Sequence, residues 1–222
     1  MKIAASWSGG KDSAFALYLA KQQGHEVVNI LTMMSEEKSV FHLIRSALID
    51  AQADAMGLSL IKKQTVNETY ENDFKEVLTE LKAKGVEGLV TGDICEIAGH
   101  EVGWLNRICC EIGLKPIRPL WMGDTKQIFL DYMIAGFKAI VVRTNLNKLC
   151  VDWLGRVLDQ SFYDEILKLD NIDPCGERGE YHTVVLDGPY FKKTIELVET
   201  QKHKFDNNSG YLEIKDFVVN NK

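Results

Sequence analysis

Lys2-Ile3-Ala4-Ala5-Ser6-Trp7, followed without a break by Ser8-Gly9-Gly10-Lys11-Asp12-Ser13, decides how the rest of the chain is read. Apolar and small residues from Ile3 to Trp7 suit a short strand. The Gly-Gly pair then permits a tight turn, because glycine reaches backbone angles closed to other residues. From Lys11 to Gln23 the apolar positions Ala14, Leu17 and Tyr18 recur at helical spacing, and Gly24 supplies a stop.

The same unit repeats outward. Glu26 to Met34 is an almost continuous apolar run, as in a strand covered on both faces. Val40 to Met56 reads as a helix closed by Gly57, and Ser59 to Thr65 as a third strand. Tyr70 to Lys84 is a helix with a charged face ending at Gly85, and Gly88 to Gly92 is a fourth strand. Leu105 to Ile112 is a helix backed by Gly113, and Lys115 to Trp121 is a fifth strand. Strands alternating with helices predict an α/β fold: a five-stranded parallel sheet, order 3-2-1-4-5, with helices on both faces. Such sheets bind ligands at the carboxyl ends of the strands, where the order reverses.

The second half breaks the pattern. Thr125 to Ala135 is helical, Phe137 to Thr144 a strand, and Val151 to Leu154 and Ser161 to Leu169 are short helices. Asn171 to Arg178 is a loop containing Pro174, and Tyr181 to Leu186 is a strand. Thr194 to Val219 reads as a hairpin around Asn207-Asn208-Ser209-Gly210. These elements predict a smaller α+β unit, with domains at 1–122 and 123–222.

The 222 residues are 45% hydrophobic and 26% charged, an ordinary globular composition. No apolar run reaches the roughly 20 residues of a membrane span, and Met1-Lys2 opens no signal peptide. The expectation is a cytoplasmic protein. Cys95, Cys109, Cys110, Cys150 and Cys175 form no CxxC pair, so they predict idle or buried thiols rather than a zinc site. A formal charge of −6 argues against a nucleic-acid partner, which would call for a basic face. An oligomer of identical chains is compatible with all of this.

Ser8-Gly9-Gly10-Lys11-Asp12-Ser13 lies where a phosphate would be held. The N–H groups at the start of the helix and its dipole favour negative charge there. Ser8 and Ser13 add hydroxyls, Lys11 adds a compact positive charge, and Asp12 makes sense if Mg2+ lies between it and the phosphates. A Walker A loop is excluded, because it needs Gly where Ala5 stands and Ser or Thr where Asp12 stands. A turn that merely caps a helix would not need Lys-Asp-Ser in this register.

This hexapeptide resembles the PP-loop of the N-type ATP pyrophosphatases. The resemblance implies a HUP-like sheet and a loop for the β- and γ-phosphates of ATP. It also implies transfer of AMP to an acceptor oxygen with release of pyrophosphate. Thr91-Gly92-Asp93 ends the fourth strand beside the first, so Gly92 gives clearance and Asp93 faces metal or ribose; a plain Gly-Asp turn is the alternative. Thr32 to Met34 ends the second strand. There the resemblance implies that adenine is read by backbone groups near Met33, although Met33 and Met34 serve equally as core filler. His42 and Arg45, on the second expected helix, share a face and either approach the α-phosphate or are simply solvated.

Gly176-Glu177-Arg178-Gly179-Glu180-Tyr181-His182-Thr183 precedes Val184-Val185-Leu186-Asp187-Gly188-Pro189. Along a strand, Glu180 and His182 would share one face while Tyr181, Thr183 and Val185 share the other. Such a pair can hold a cation, position ammonia or move a proton; a polar strand edge is the alternative. With the phosphate loop, Gly92-Asp93 and Pro119-Leu120-Trp121, this block makes nearly the whole chain similar to the diphthine–ammonia ligase family. The resemblance implies ATP-dependent amidation of diphthine on translation elongation factor two, with ammonium as nitrogen source. On that basis Lys11, Asp12, Glu180 and His182 are the catalytic candidates, and Glu177, Glu180, His182, Thr183 and Asp187 the acceptor-binding ones.

Two departures from the family pattern bear on the acceptor. His182 stands where the family usually has a second glutamate, and Trp104 and Asn106, aligned on Cys109, stand where it has Arg and Glu. A branch with His in that motif is linked to cobalamin salvage. The carboxylate acceptor is therefore either diphthine or a small corrinoid-related acid. Other PP-loop chemistry, such as tRNA thiolation, would call for basic surface or CxxC spacing, and a nucleotide sensor would not need the second motif. No glutaminase domain fits in 222 residues beside these two units.

Overall fold

The computed structural model describes residues 1–36, 38–39, 44–96, 101–205 and 208–222. Contacts divide it into two compact units: Met1–Ser8, Asp12–Ala53 and Leu58–Met122 form the first, and Gly9–Lys11, Asp54–Gly57 and Gly123–Lys222 the second.

The first unit carries strands β1 (Lys2–Ser6), β2 (Glu26–Ser35), β3 (Lys38–Ser39), β4 (Ser59–Gln64), β5 (Gly88–Val90) and β6 (Lys115–Ile117). β4, β2, β1, β5 and β6 pair in that order, all parallel. This is the expected 3-2-1-4-5 order. The addition is β3, two residues paired antiparallel to the end of β2. Between the strands run α1 (Lys11–Gln22), α2 (Ser46–Met56), α3 (Tyr70–Ala83) and α4 (Trp104–Ile112).

Strand alternation sorts the two faces. Ala4, Leu31, Met33 and Leu89 join Phe74, Leu78 and Leu81 of α3 and Trp104, Leu105 and Ile108 of α4 in one cluster. Ile3, Ala5 and Ile30, buried to 1% or less, point the other way, which leaves α1 and α2 to cover them among the described helices. Burying one large side chain of this kind contributes about 1.5–3 kcal/mol. The clusters hold the strand ends, and hence the loops after them, at fixed heights.

Two boundaries differ from expectation for local reasons. α2 begins at Ser46, not in the low forties. Ser39 donates N–H to the Ile44 carbonyl and its Oγ accepts the Ile44 N–H, so Ile44 is bonded back to Ser39 and not into the helix. Arg45 is the cap position of α2, its carbonyl accepting from Leu48 and Ile49 and its backbone bridged to Lys38; it is not on the helix face. His42 lies outside the described residues. β6 stops at Ile117, because Pro119 has no N–H to continue a ladder and Trp121 N–H closes a turn onto the Arg118 carbonyl at 3.2 Å.

The second unit is an antiparallel sheet, β8-β7-β10-β9, built from β7 (Lys138–Asn145), β8 (Tyr181–Asp187), β9 (Lys193–Lys204) and β10 (Ser209–Asn221). β9 and β10 form the expected hairpin; Asn207 of its turn lies outside the described residues. Helices α5 (Thr125–Ile134) and α6 (Gln160–Ile166) start at Asp124 and Asp159, whose carboxylates accept the N–H of Lys126 and Phe162. Phe129 stacks on Phe162 at 5.6 Å, and Phe162 meets Tyr181 edge-on at 5.4 Å, so α5, α6 and β8 share one aromatic core.

Candidate active site

The carboxyl ends of β1 and β5 lie at the point where the strand order reverses, and the glycine turn sits there. Gly9 has φ +84°, a left-handed angle that favours glycine. Ser8 and Ser13 hydroxyls are 3.1 Å apart across the turn, and Lys11 and Ser13 are buried. α1 starts at Lys11, with Asp12 in its first turn.

Gly92 packs directly on this turn. A Cβ there would lie 2.5 Å from the Asp12 carbonyl carbon and 2.6 Å from the Ser13 nitrogen. The clearance read from the sequence is real, and it is used by the loop backbone. Asp93 follows, its carboxylate accepting from Thr91 Oγ1 at 2.7 Å. Burial pushes the Asp93 carboxyl above its ordinary value, and the nearby charges of Asp12 and Glu96 add to this while Thr91 and Arg118 oppose it. Met33 packs its side chain into the core cluster, so any contact it makes with a nucleotide must come from its backbone.

Within the second unit, β8 is a sheet edge, and its open side holds Gly9–Lys11. Val185 N–H donates to the Gly9 carbonyl at 2.9 Å, and the Lys11 N–H donates to Thr183 Oγ1 at 3.0 Å. The Lys11 ammonium lies 5.7 Å from the Tyr181 ring centre. Thr183, read as an acceptor contact, is thus a support of the glycine turn.

Glu180 is engaged in holding a loop. It precedes β8, following Gly179 at φ +76°, and is fully buried. Its carboxylate accepts from the N–H of Asp173 at 3.2 Å and of Arg178 at 2.9 Å, and pairs with Lys148 at 3.3 Å. The physical reason is accounting: two N–H groups of the 173–180 loop and the Lys148 ammonium need an acceptor. Glu177 donates its N–H to Asp173 Oδ1 at 3.4 Å in the same loop. His182 is half-buried in β8, opposite Arg143 across a register shift in β7. Asp187 ends β8 tied to Lys222 at 2.5 Å and Lys138 at 3.7 Å, which engages the carboxylate read as an acceptor contact. Trp104 is a core residue stacked on Phe74 at 5.6 Å, and Asn106 is exposed.

Arg118 is marked by no motif of the sequence. Its guanidinium lies 3.7 Å from the centre of the Trp121 ring, just past β6. Pro119-Leu120-Trp121 was visible as a block, but a single arginine ahead of it carries no spacing signal.

The fold defines an α/β protein with a glycine turn at the switch point of a parallel sheet. Comparison with known proteins carries this further. Residues 1–116 match the model of the diphthamide synthase N-terminal domain and residues 124–219 that of the diphthamide synthase C-terminal domain; the chain belongs to the diphthamide synthase family. A relative from Schizosaccharomyces pombe named diphthine–ammonia ligase is 30% identical over 244 residues, covering 97% of this chain but only 39% of its own length. Mouse and human proteins of the same name are 28% identical over 221 residues, covering 88% of this chain and 82% of theirs. Among the described residues no helix is long and apolar enough to cross a membrane.

Proposed function

We propose that this chain is an ATP-dependent amide ligase that converts an acceptor carboxylate to its amide with ammonium, releasing AMP and pyrophosphate, and that the acceptor is diphthine on translation elongation factor two in the cytoplasm. The observation that carries this is the turn at Ser8–Ser13, packed at a switch point against Gly92 and opening a twelve-residue helix. Backbone N–H groups and a helix dipole there suit the β- and γ-phosphates. The relatives' name, diphthine–ammonia ligase, supports diphthine as the acceptor.

In the first step a carboxylate oxygen attacks the α-phosphorus, the bond from that phosphorus to the bridging oxygen breaks, and pyrophosphate leaves. Ammonia then attacks the acyl carbon, AMP departs, and the nitrogen loses a proton. The loop N–H groups and Lys11 offset charge growing on the leaving pyrophosphate. Asp12 and Asp93 fit a magnesium ion: each lies in the other's field, which a divalent cation would relieve. Among the described residues no group of three or more metal-ligating side chains exists, in keeping with magnesium's habit of taking one or two carboxylates plus phosphate oxygens. That ion would supply charge neutralisation at the phosphates.

Purified chain, ATP, magnesium, ammonium and diphthine-bearing elongation factor two should yield AMP, pyrophosphate and an amidated acceptor by mass spectrometry. ATP left intact, or cleaved only to ADP, refutes the reading. One observation favours a second acceptor: His182 sits opposite Arg143, a basic setting unsuited to the quaternary ammonium of diphthine. AMP formed with a small corrinoid-related acid and not with the elongation factor would select that alternative.

A further inference from the structure

We infer that Tyr181 is a positioning residue for Lys11, the face of its ring seating the Lys11 ammonium at the turn, a role that rests on the phosphate-binding reading above. Strand β8 grips Lys11 at both ends. Thr183 Oγ1 accepts its main-chain N–H at 3.0 Å, and the centre of the Tyr181 ring lies 5.7 Å from its ammonium nitrogen. Residues two apart on a strand share a face and stand about 6.6–6.8 Å apart, a span comparable with an extended lysine side chain. The alternation that brings Thr183 to the first residue of α1 therefore brings Tyr181 to that residue's charge.

The ring is itself held rigidly. It is buried, its hydroxyl donates to the Pro174 carbonyl, and Phe162 meets it edge-on. Gly176 backs against it: a Cβ there would stand 3.2 Å from two carbons of the ring and 2.9 Å from the Tyr181 carbonyl oxygen. Its φ of +80° favours glycine on backbone grounds as well. Two residues of the Gly176–Thr183 block, one giving clearance and the other the ring, thus serve a loop at the far end of the sequence.

Charge distinguishes this role from core filling. Lys11 is 3% exposed, and taking an ammonium out of water is costly. The negative face of an aromatic ring offsets part of that cost, and more so where the pair is desolvated. An aliphatic side chain would fill the volume without this support. For phosphate chemistry the gain is preorganisation, because a cation already seated needs no rearrangement when the terminal phosphates arrive.

The test replaces Tyr181 with phenylalanine and with phenylalanines bearing one, two and three ring fluorines. Each fluorine draws charge from the ring face and leaves the shape nearly unchanged. All four lack the hydroxyl, so the bond to Pro174 is lost equally. Calorimetry with magnesium and a non-hydrolysable ATP analogue should give dissociation constants that rise stepwise with fluorine, to about tenfold across the series, with melting temperatures that agree within about 2 °C. A second readout uses the full chain carrying isotope-labelled lysine. The Lys11 Hε protons, assigned by their disappearance in Lys11→Arg, should lie upfield through ring shielding in the parent and in Tyr181→Phe, and return to the ordinary lysine position in Tyr181→Leu. Should the leucine variant fail to fold, the fluorine series still decides. Stepwise weakening in a chain that makes no AMP would sink the ligase reading and keep the assignment. An affinity indifferent to fluorine overturns it, and so do Lys11 protons at the ordinary position in the parent, because the ammonium would then be seated elsewhere.

Discussion

Thr183 accepts the N–H of Lys11, the first residue of α1, at 3.0 Å. Thr183→Val keeps the shape and deletes the acceptor. One such hydrogen bond is worth about 1 kcal/mol, and because it is formed without ligand its loss should lower the melting temperature by about 2–4 °C, with the KM for ATP rising up to about fivefold, and Thr183→Ser should restore both. Steady-state kinetics on the three proteins decides this. Gly92 is held more strictly, because a side chain would collide with main chain that has nowhere to go. Gly92→Ala should cost about 2 kcal/mol and lower the melting point by about 4–8 °C by calorimetry. The residue types at both positions were legible in the sequence, but their partners were not. Glycine after a strand announces clearance without saying for what, and Thr183 finds Lys11 across 172 positions of chain. The partners of Glu180 were illegible for a related cause: its carboxylate is engaged by Asp173, Arg178 and Lys148, and no spacing rule joins the four.

Helices α3 and α4 are joined by a charged seam at their exposed edge. Glu71 pairs with Arg107 at 2.8 Å and Lys75 at 2.7 Å, and Glu111 pairs with both cations. The Arg107 guanidinium first, and Lys75 second, hold the Glu71 carboxyl down at about 2. Its folded value therefore lies below its unfolded one, so the stabilisation is complete above roughly pH 4.5 and fades as pH falls toward 2. Glu71 is more than a third exposed, which discounts the effect to about 1 kcal/mol. Urea midpoints measured across that window should converge for the parent and Glu71→Gln as the pH drops, and stay apart above it. On the inner face of α4, burial pushes the Cys109 thiol up to about 11, and Cys175 is buried too, whereas Cys95, Cys110 and Cys150 are exposed. Iodoacetamide at pH 8 should add three labels to the native protein and five to the unfolded one, counted by mass. The long elements were readable because their periodicity is sustained. α2 starts late because two hydrogen bonds at Ser39 outcompete helix, and no window of hydrophobicity registers so local a contest.

At the scale of the molecule, the order of the parallel sheet follows from where apolar runs alternate with helical faces and was foreseeable, whereas the second unit was legible only as an α+β unit with a terminal hairpin. The chemistry was less so, since the loop hexapeptide names a ligand class while the second motif turns out to be occupied largely with holding loops in place. That occupation has a temporal side. A ribosome that has just released Lys11 must still build 172 residues before Thr183 emerges, which takes roughly 10–30 s at about 5–20 residues per second. Until then the glycine turn lacks its scaffold, and a nascent chain stalled short of β8 should fail to retain a photo-crosslinkable ATP that the finished, tethered chain captures.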